Sequence, residues 1–148
     1  MTKIEKSAMV PYSTREMFAL VADVESYPEF LPWCTEARVL VRHGDGVTAR
    51  LALAKSGIRH AFTTRNRHHR HGERIDVQLV EGPFKRLHGH WSFRSAGSNA
   101  SVVALHLDFE FASKLLAFTF GKAFQSIAGA LIDAFCARAR ELYEPSQR

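Results

Sequence analysis

Val103-Ala104-Leu105-His106-Leu107-Asp108-Phe109-Glu110-Phe111 alternates apolar and polar side chains, and the chain then changes period within three residues. Val103, Leu105, Leu107, Phe109 and Phe111 fall on one face of an extended segment, and His106, Asp108 and Glu110 on the other. This spacing predicts a strand with one buried and one wet face, as in an antiparallel sheet. From about Lys114 to Glu144 the apolar residues recur at helical spacing instead. At ~100° per residue, Leu116, Phe120, Phe124, Ile127, Leu131, Phe135 and Leu142 share one face. Lys122, Gln125, Ser126, Asp133, Arg140 and Glu144 share the opposite one. Ser113 is placed to cap this helix. A helix of about 45 Å, at about 1.5 Å per residue, cannot bury its apolar stripe alone. A sheet must supply the matching surface.

The preceding sequence supplies that sheet. Residues 3–10 predict a strand, and Ser13 or Thr14 an N-cap with Glu16 and the helical run Met17 to Val21 behind it. Asp23 is placed to cap a second short helical turn, which the Tyr27-Pro28 step should end. Glu36 to Arg42 reads as a strand that stops at the turn His43-Gly44-Asp45-Gly46. Alternation resumes at Val47, Ala49, Leu51 and Leu53, turns at Ser56-Gly57, and extends from Ile58 to His68. After His71-Gly72-Glu73 come Ile75, Val77 and Leu79. Beyond the break at Glu81-Gly82-Pro83 come Leu87, Gly89, Trp91 and Phe93. The expected fold is α+β. A curved antiparallel sheet wraps around a long C-terminal helix, with two short helices after the first strand. Residues 1–148 contain no linker-like stretch and read as one domain.

Tyr27-Pro28-Glu29-Phe30-Leu31-Pro32-Trp33-Cys34 is too apolar for an ordinary surface connection. It must cap the core or rim an apolar cavity. Candidate lining comes from the sheet at Leu51, Leu53, Phe62, Leu79, Leu87, Trp91, Phe93, Leu107 and Phe109. The helix adds Phe120, Phe124, Ile127 and Leu131, and the loop Phe30, Leu31 and Trp33. A solid core is the rival interpretation, because apolar stripes at these periods usually make one. Gly89, between bulky inward neighbours, favours a cavity by leaving out side-chain volume.

The formal net charge of +5 tolerates an anionic partner without requiring one. Arg59, Arg65, Arg67 and Arg70 are candidates for phosphate contact with RNA or lipid. Arginines around His68, His69 and His71 disfavour a metal there, and no metal site is expected. Two cysteines, Cys34 and Cys136, make no disulfide framework. No apolar run of the roughly 18 residues that cross a bilayer is seen, and no signal peptide. The expected location is the cytoplasm, with peripheral contact at the inner membrane allowed. No nucleophile elbow, phosphate loop or zinc-protease motif occurs, so no catalytic residues are assigned. Arg138 falls on the helix's apolar face. Either Asp23 or Glu25 pairs with it, or its stem carries the charge past the helix end.

Several stretches together resemble the START-like coenzyme Q-binding family of the polyketide cyclase/dehydrase superfamily. They are Val10-Pro11-Tyr12-Ser13, Met17 to Glu25, Tyr27 to Cys34, Thr63-Thr64-Arg65-Asn66, Glu81-Gly82-Pro83-Phe84, Leu87 to Phe93, Phe109 to Leu116 and Ala134 to Ala139. The resemblance implies a helix-grip fold and a non-enzymatic carrier of a lipophilic ligand such as ubiquinone, supporting respiration, with no required cofactor. It places Phe30, Leu31, Pro32 and Trp33 at the cavity mouth and adds Phe84 to the inward positions. The family also contains ribosome-association toxins, which implies the large ribosomal subunit as an alternative partner. Its cyclase and aromatase labels imply a third function, which would need a titratable side chain inside the cavity.

Overall fold

The alternating segment forms strand β7, Ser101–Phe111, and its burial alternates residue by residue as far as Glu110, with Phe111 half-buried. The structure, a computed structural model, describes residues 2–143. Its elements are β1 (Thr2–Val10), α1 (Thr14–Ala22), a 3₁₀ turn (Val24–Glu29), β2 (Cys34–His43), β3 (Gly46–Lys55), β4 (Ile58–His68), β5 (Arg74–Glu81), β6 (Phe84–Ser95), β7 and α2 (Lys114–Tyr143). The strands make one antiparallel sheet in the order β1-β7-β6-β5-β4-β3-β2. Hairpins join β2 through β7, so only β1 pairs out of sequence, against β7, with Ile4 opposite Leu107.

Helix α2 starts where Ser113 Oγ accepts the Leu116 N–H at 3.1 Å. Phe120, Phe124, Ile127, Ile132, Phe135 and Ala139 are buried. The stripe differs from the expected one at its end, for Leu142 is 45% exposed. Tyr143 takes the inner place. Its ring meets Tyr12 at 5.8 Å and its hydroxyl donates to Glu16 O at 3.2 Å. Docking on α1 therefore sets the rotation of the last turn. Glu144 lies outside the described residues. Contrary to the sequence expectation, α2 contains an 18-residue window apolar enough by length and composition to cross a bilayer. Its Phe-rich side packs on the sheet, which accounts for part of that apolarity.

The capping box at α1 is complete. Ser13 Oγ accepts the Glu16 N–H, and Glu16 Oε1 accepts the Ser13 N–H. Pro28 does not end the second helical turn as expected but sits inside it. The local bonds run from the Phe30 and Leu31 N–H groups to Tyr27 O, so none needs the donor that proline lacks. The partner of Arg138 is neither Asp23 nor Glu25. Its guanidinium donates to Glu29 Oε1 at 2.7 Å and lies 5.1 Å from the Phe30 ring centre. Glu25 instead accepts the Val39 N–H, and Asp23 the Ser26 hydroxyl. Arg138 thus ties α2 to the proline–aromatic loop.

Gly89 has a different role from the one its sequence context suggested. A Cβ there would lie 2.1 Å from His106 O and 2.9 Å from Leu107 Cα. The glycine allows β6 to bend closely over β7, and this curvature makes room under the helix. It is not itself a missing wall of the cavity.

Candidate functional site: an apolar cavity at a seam in the core

The apolar interior divides into two clusters. One gathers α1, the 3₁₀ turn and the C-terminal half of α2 around Met17, Tyr27, Leu31, Trp91, Leu105 and Phe135. The other gathers the N-terminal half of α2 around Phe62, Phe84, Phe109, Phe120 and Phe124. Trp33, Leu51 and Val77 pack against both. Between them lies a cavity of about 100 Å³ whose wall draws on each cluster. Half-buried Trp33, Leu51 and Leu131 belong to that wall, so the cavity reaches the surface beside the proline–aromatic loop.

Leu31, Trp33, Leu51, Leu53, Phe62, Leu87, Trp91, Leu107, Phe124, Ile127 and Leu131 line this space. Phe30, Pro32, Leu79, Phe84, Phe93, Phe109 and Phe120 lie outside it. The reasons are local. Phe84, Phe109 and Phe120 meet Phe124 at 4.8–5.6 Å between ring centres and fill the N-terminal cluster solidly. Phe93 packs on Phe18 at 5.4 Å in the other cluster. Phe30 turns to Phe135 and Arg138, and Pro32 is exposed. Leu79 packs at the edge of the N-terminal cluster.

Sequence reasoning passed over Tyr27, Cys34, Thr64, Asn66, Val77, Leu105, Ala128 and Phe135, which also line the cavity. Thr64 and Asn66 matter most. They follow Phe62 at the two-residue spacing of β4, which puts all three on one face. Thr64 Oγ1 donates to Asn66 Oδ1 at 2.8 Å. This leaves the Asn66 amide N–H₂ as a donor held at the wall of an otherwise apolar space.

Two titratable groups also reach the wall, and both are held protonated at neutral pH. Burial raises Tyr27 far above the ordinary tyrosine value, and its hydroxyl donates to Val21 O. Burial lifts Cys34 from 9.0 to about 11, against a small opposing effect of the Glu36 carbonyl. Neither group is a general base near pH 7. Because the folded pKa of Cys34 is raised, the stability it contributes is complete below about pH 9. It is lost as pH rises toward 11. Thermal melts should therefore show the midpoint falling across that window and a shallower fall in Cys34→Ala; identical slopes would contradict this assignment.

The basic candidates divide between two ends of the sheet. Arg42, His43, His68, His69 and Arg70 line a surface groove between the β2–β3 and β4–β5 turns. Arg65 is bonded to Asp45 there, and its guanidinium holds the Asp45 carboxyl below its usual range. Arg67 lies 3.9 Å from Asp76. Arg59 sits near the opposite end of β4, about 26 Å away along an extended strand, so the four arginines form no single patch. Among the described residues, no cluster of three or more His, Cys, Asp or Glu side chains is arranged to hold a metal.

A curved antiparallel sheet gripping one long C-terminal helix defines the helix-grip, START-like class of fold. The chain belongs to the polyketide cyclase/dehydrase and lipid transport family, whose sequence profile matches residues 10–136. It is 43% identical over 143 residues to the ribosome association toxin RatA of Escherichia coli K12, covering 97% of this chain and 90% of that one. It is 27% identical to the mitochondrial coenzyme Q-binding protein coq10 of Schizosaccharomyces pombe, covering 90% of this chain and 84% of that one. The fold superposes on the Zhui aromatase/cyclase from Streptomyces sp. R1128 with a TM-score of 0.84, at 16% identity and 98% coverage of both chains. The family's own description covers both cyclases and lipid transport.

Proposed function

We propose that this protein binds a lipophilic molecule with a carbonyl-bearing head, a ubiquinone-like isoprenoid quinone, and carries it without altering it. The observation that carries this is the apolar cavity at the seam of the core, with the Thr64–Asn66 pair on its wall. A ligand carbonyl could accept from the Asn66 amide while the tail lies against leucine and phenylalanine. The chemistry of the wall supports binding over cyclisation, since Cys34 and Tyr27 both stay protonated at neutral pH. A cavity of about 150 Å³ admits benzene. At about 100 Å³, this one must widen for a quinone ring, with Trp33 and Leu131 moving apart at the mouth. Each Å² of tail buried contributes about 25 cal/mol.

The test is uptake of a short-chain ubiquinone from detergent, together with solvent extraction of the protein from its own host. Protein repeatedly free of lipid and unable to take up quinone would overturn the proposal. Asn66→Leu should weaken quinone binding about three- to tenfold, the worth of one hydrogen bond, while leaving affinity for a plain isoprenoid hydrocarbon unchanged. Equal losses for both ligands would show that Asn66 does not recognise the head.

Ribosome association is a second proposed activity, supported by the likeness to the Escherichia coli relative along nearly the whole chain. The groove bearing Arg42 and Arg70 offers it a basic surface at the opposite end of the sheet from the cavity mouth. Sucrose-gradient sedimentation with large subunits tests it. Replacing Arg42, Arg67 and Arg70 by Glu should abolish co-sedimentation and spare quinone uptake; unchanged co-sedimentation would rule this surface out.

A further inference from the structure

Helix α2 overhangs the sheet at its start. From Lys114 to Thr119 only Leu116 is even half-buried, and Leu115 is 70% and Phe118 86% exposed. Single exposed apolar residues are ordinary, but these two lie three apart and share one helical face. The charges around them have one sign. Between Phe111 and Ile132 the only charged residues are Lys114 and Lys122, and they flank Phe118 at four-residue intervals. The 18-residue apolar window of this helix is only 39% buried, so its apolarity exceeds what the core uses.

The overhang lies at the same end of the sheet as the cavity mouth. The Ala54 N–H bonds Trp33 O at 2.9 Å, which fixes the mouth to the end of β3. On the returning strand His60 packs on Phe120 at 4.5 Å, bringing the β3–β4 turn with Lys55 and Arg59 beside the helix. Among the described residues, three carboxylates share this end, and Arg50 engages one of them, Glu36, at 2.8 Å. Glu110 is engaged by Arg86 at 3.2 Å and Lys85 at 4.0 Å, and Glu81 ends β5. Cations outnumber anions there.

We propose that this end of the molecule docks on an anionic lipid bilayer, with Leu115 and Phe118 entering the interface and Lys114, Lys122, Lys55 and Arg59 meeting lipid phosphates. An apolar knob within a basic collar is the chemistry that binds such surfaces. The inference rests on the lipophilic-carrier proposal for its purpose, because a molecule dissolved in a bilayer must be collected there. The opposite side of α2 is committed to the core, so the helix lies on the membrane and does not span it.

Co-sedimentation with vesicles of phosphatidylglycerol and phosphatidylcholine, against phosphatidylcholine alone, tests this. The protein should bind the anionic vesicles, and less so as salt is raised. Leu115→Glu with Phe118→Glu should weaken binding at least about tenfold, and Lys114→Gln with Lys122→Gln by about tenfold. Both variants should take up ubiquinone from detergent as the parent does. Failure of the parent to bind either vesicle, or unchanged binding by the Glu variant, overturns the proposal. So does a parental dimer that the Glu variant dissociates in sedimentation velocity, which would assign the face to a second copy. Vesicle binding by a parent that takes up no quinone would uphold docking while overturning the carrier proposal.

Discussion

Ala128→Phe should weaken ligand binding close to a hundredfold while leaving a folded protein. Ala128 is 2% exposed, lies on the inner face of α2 and forms part of the cavity wall. A phenyl ring added there projects into a space of about 100 Å³, smaller than the roughly 150 Å³ cavity that accepts benzene. The ring therefore takes the place of the ligand's head. Forcing extra volume into a packed core costs about 1–3 kcal/mol, but here an existing void absorbs much of it. Excluding on the order of 100 Å² of ligand surface removes about 2.5 kcal/mol of binding, close to a hundredfold in affinity. Titration with a short-chain ubiquinone measures this directly. A folded variant that binds as tightly as the parent would show that the ligand goes elsewhere.

Phe135→Ala should give the largest loss of stability of any single truncation on the cavity wall. Phe135 is 1% exposed, and its ring meets Tyr27, Phe30 and Trp91 at 5.2–5.4 Å. It joins α2 to the proline–aromatic loop and to β6 at once. Truncating a buried phenylalanine costs about 3–5 kcal/mol. In a domain of this size that corresponds to a melting point lower by roughly 10 °C. Part of the space created is continuous with the cavity, so a lipophilic ligand should restore more of the lost melting temperature in the variant than it adds to the parent. A melting point within about 2 °C of the parent's would contradict this account of the core.

The architecture was legible because it rests on local patterns. The alternation in β7, the Ser13–Glu16 box, the Ser113 cap and the turns at Gly44–Gly46 and Ser56–Gly57 are each encoded within a few residues. What the sequence hid is non-local. Phe84, Phe109 and Phe120 have the same inward parity as true cavity residues, but the diagonal course of α2 over a coiled sheet decides which of them meet a void and which meet each other. Register shifts add to this. Bulges at Cys34/Glu36 and Val39/Val41 in β2 break simple alternation at an edge strand, leaving both Leu40 and Val41 exposed. Thr64 and Asn66 were readable in principle, since parity with Phe62 places them inward. Their side chains add nothing to an apolar periodicity, yet a polar pair on an inward face is the kind of exception that marks a binding site.

A core divided by a void also responds differently to compression. Unfolding under hydrostatic pressure is driven largely by the elimination of internal empty volume. The unliganded protein should therefore lose its native structure at comparatively modest pressure, with the loosening beginning along the line from Trp33 to Leu131 where the two clusters face each other across empty space. Once filled, the same line offers little volume to reclaim. Occupancy should then show itself as resistance to pressure even where heating scarcely separates the two forms.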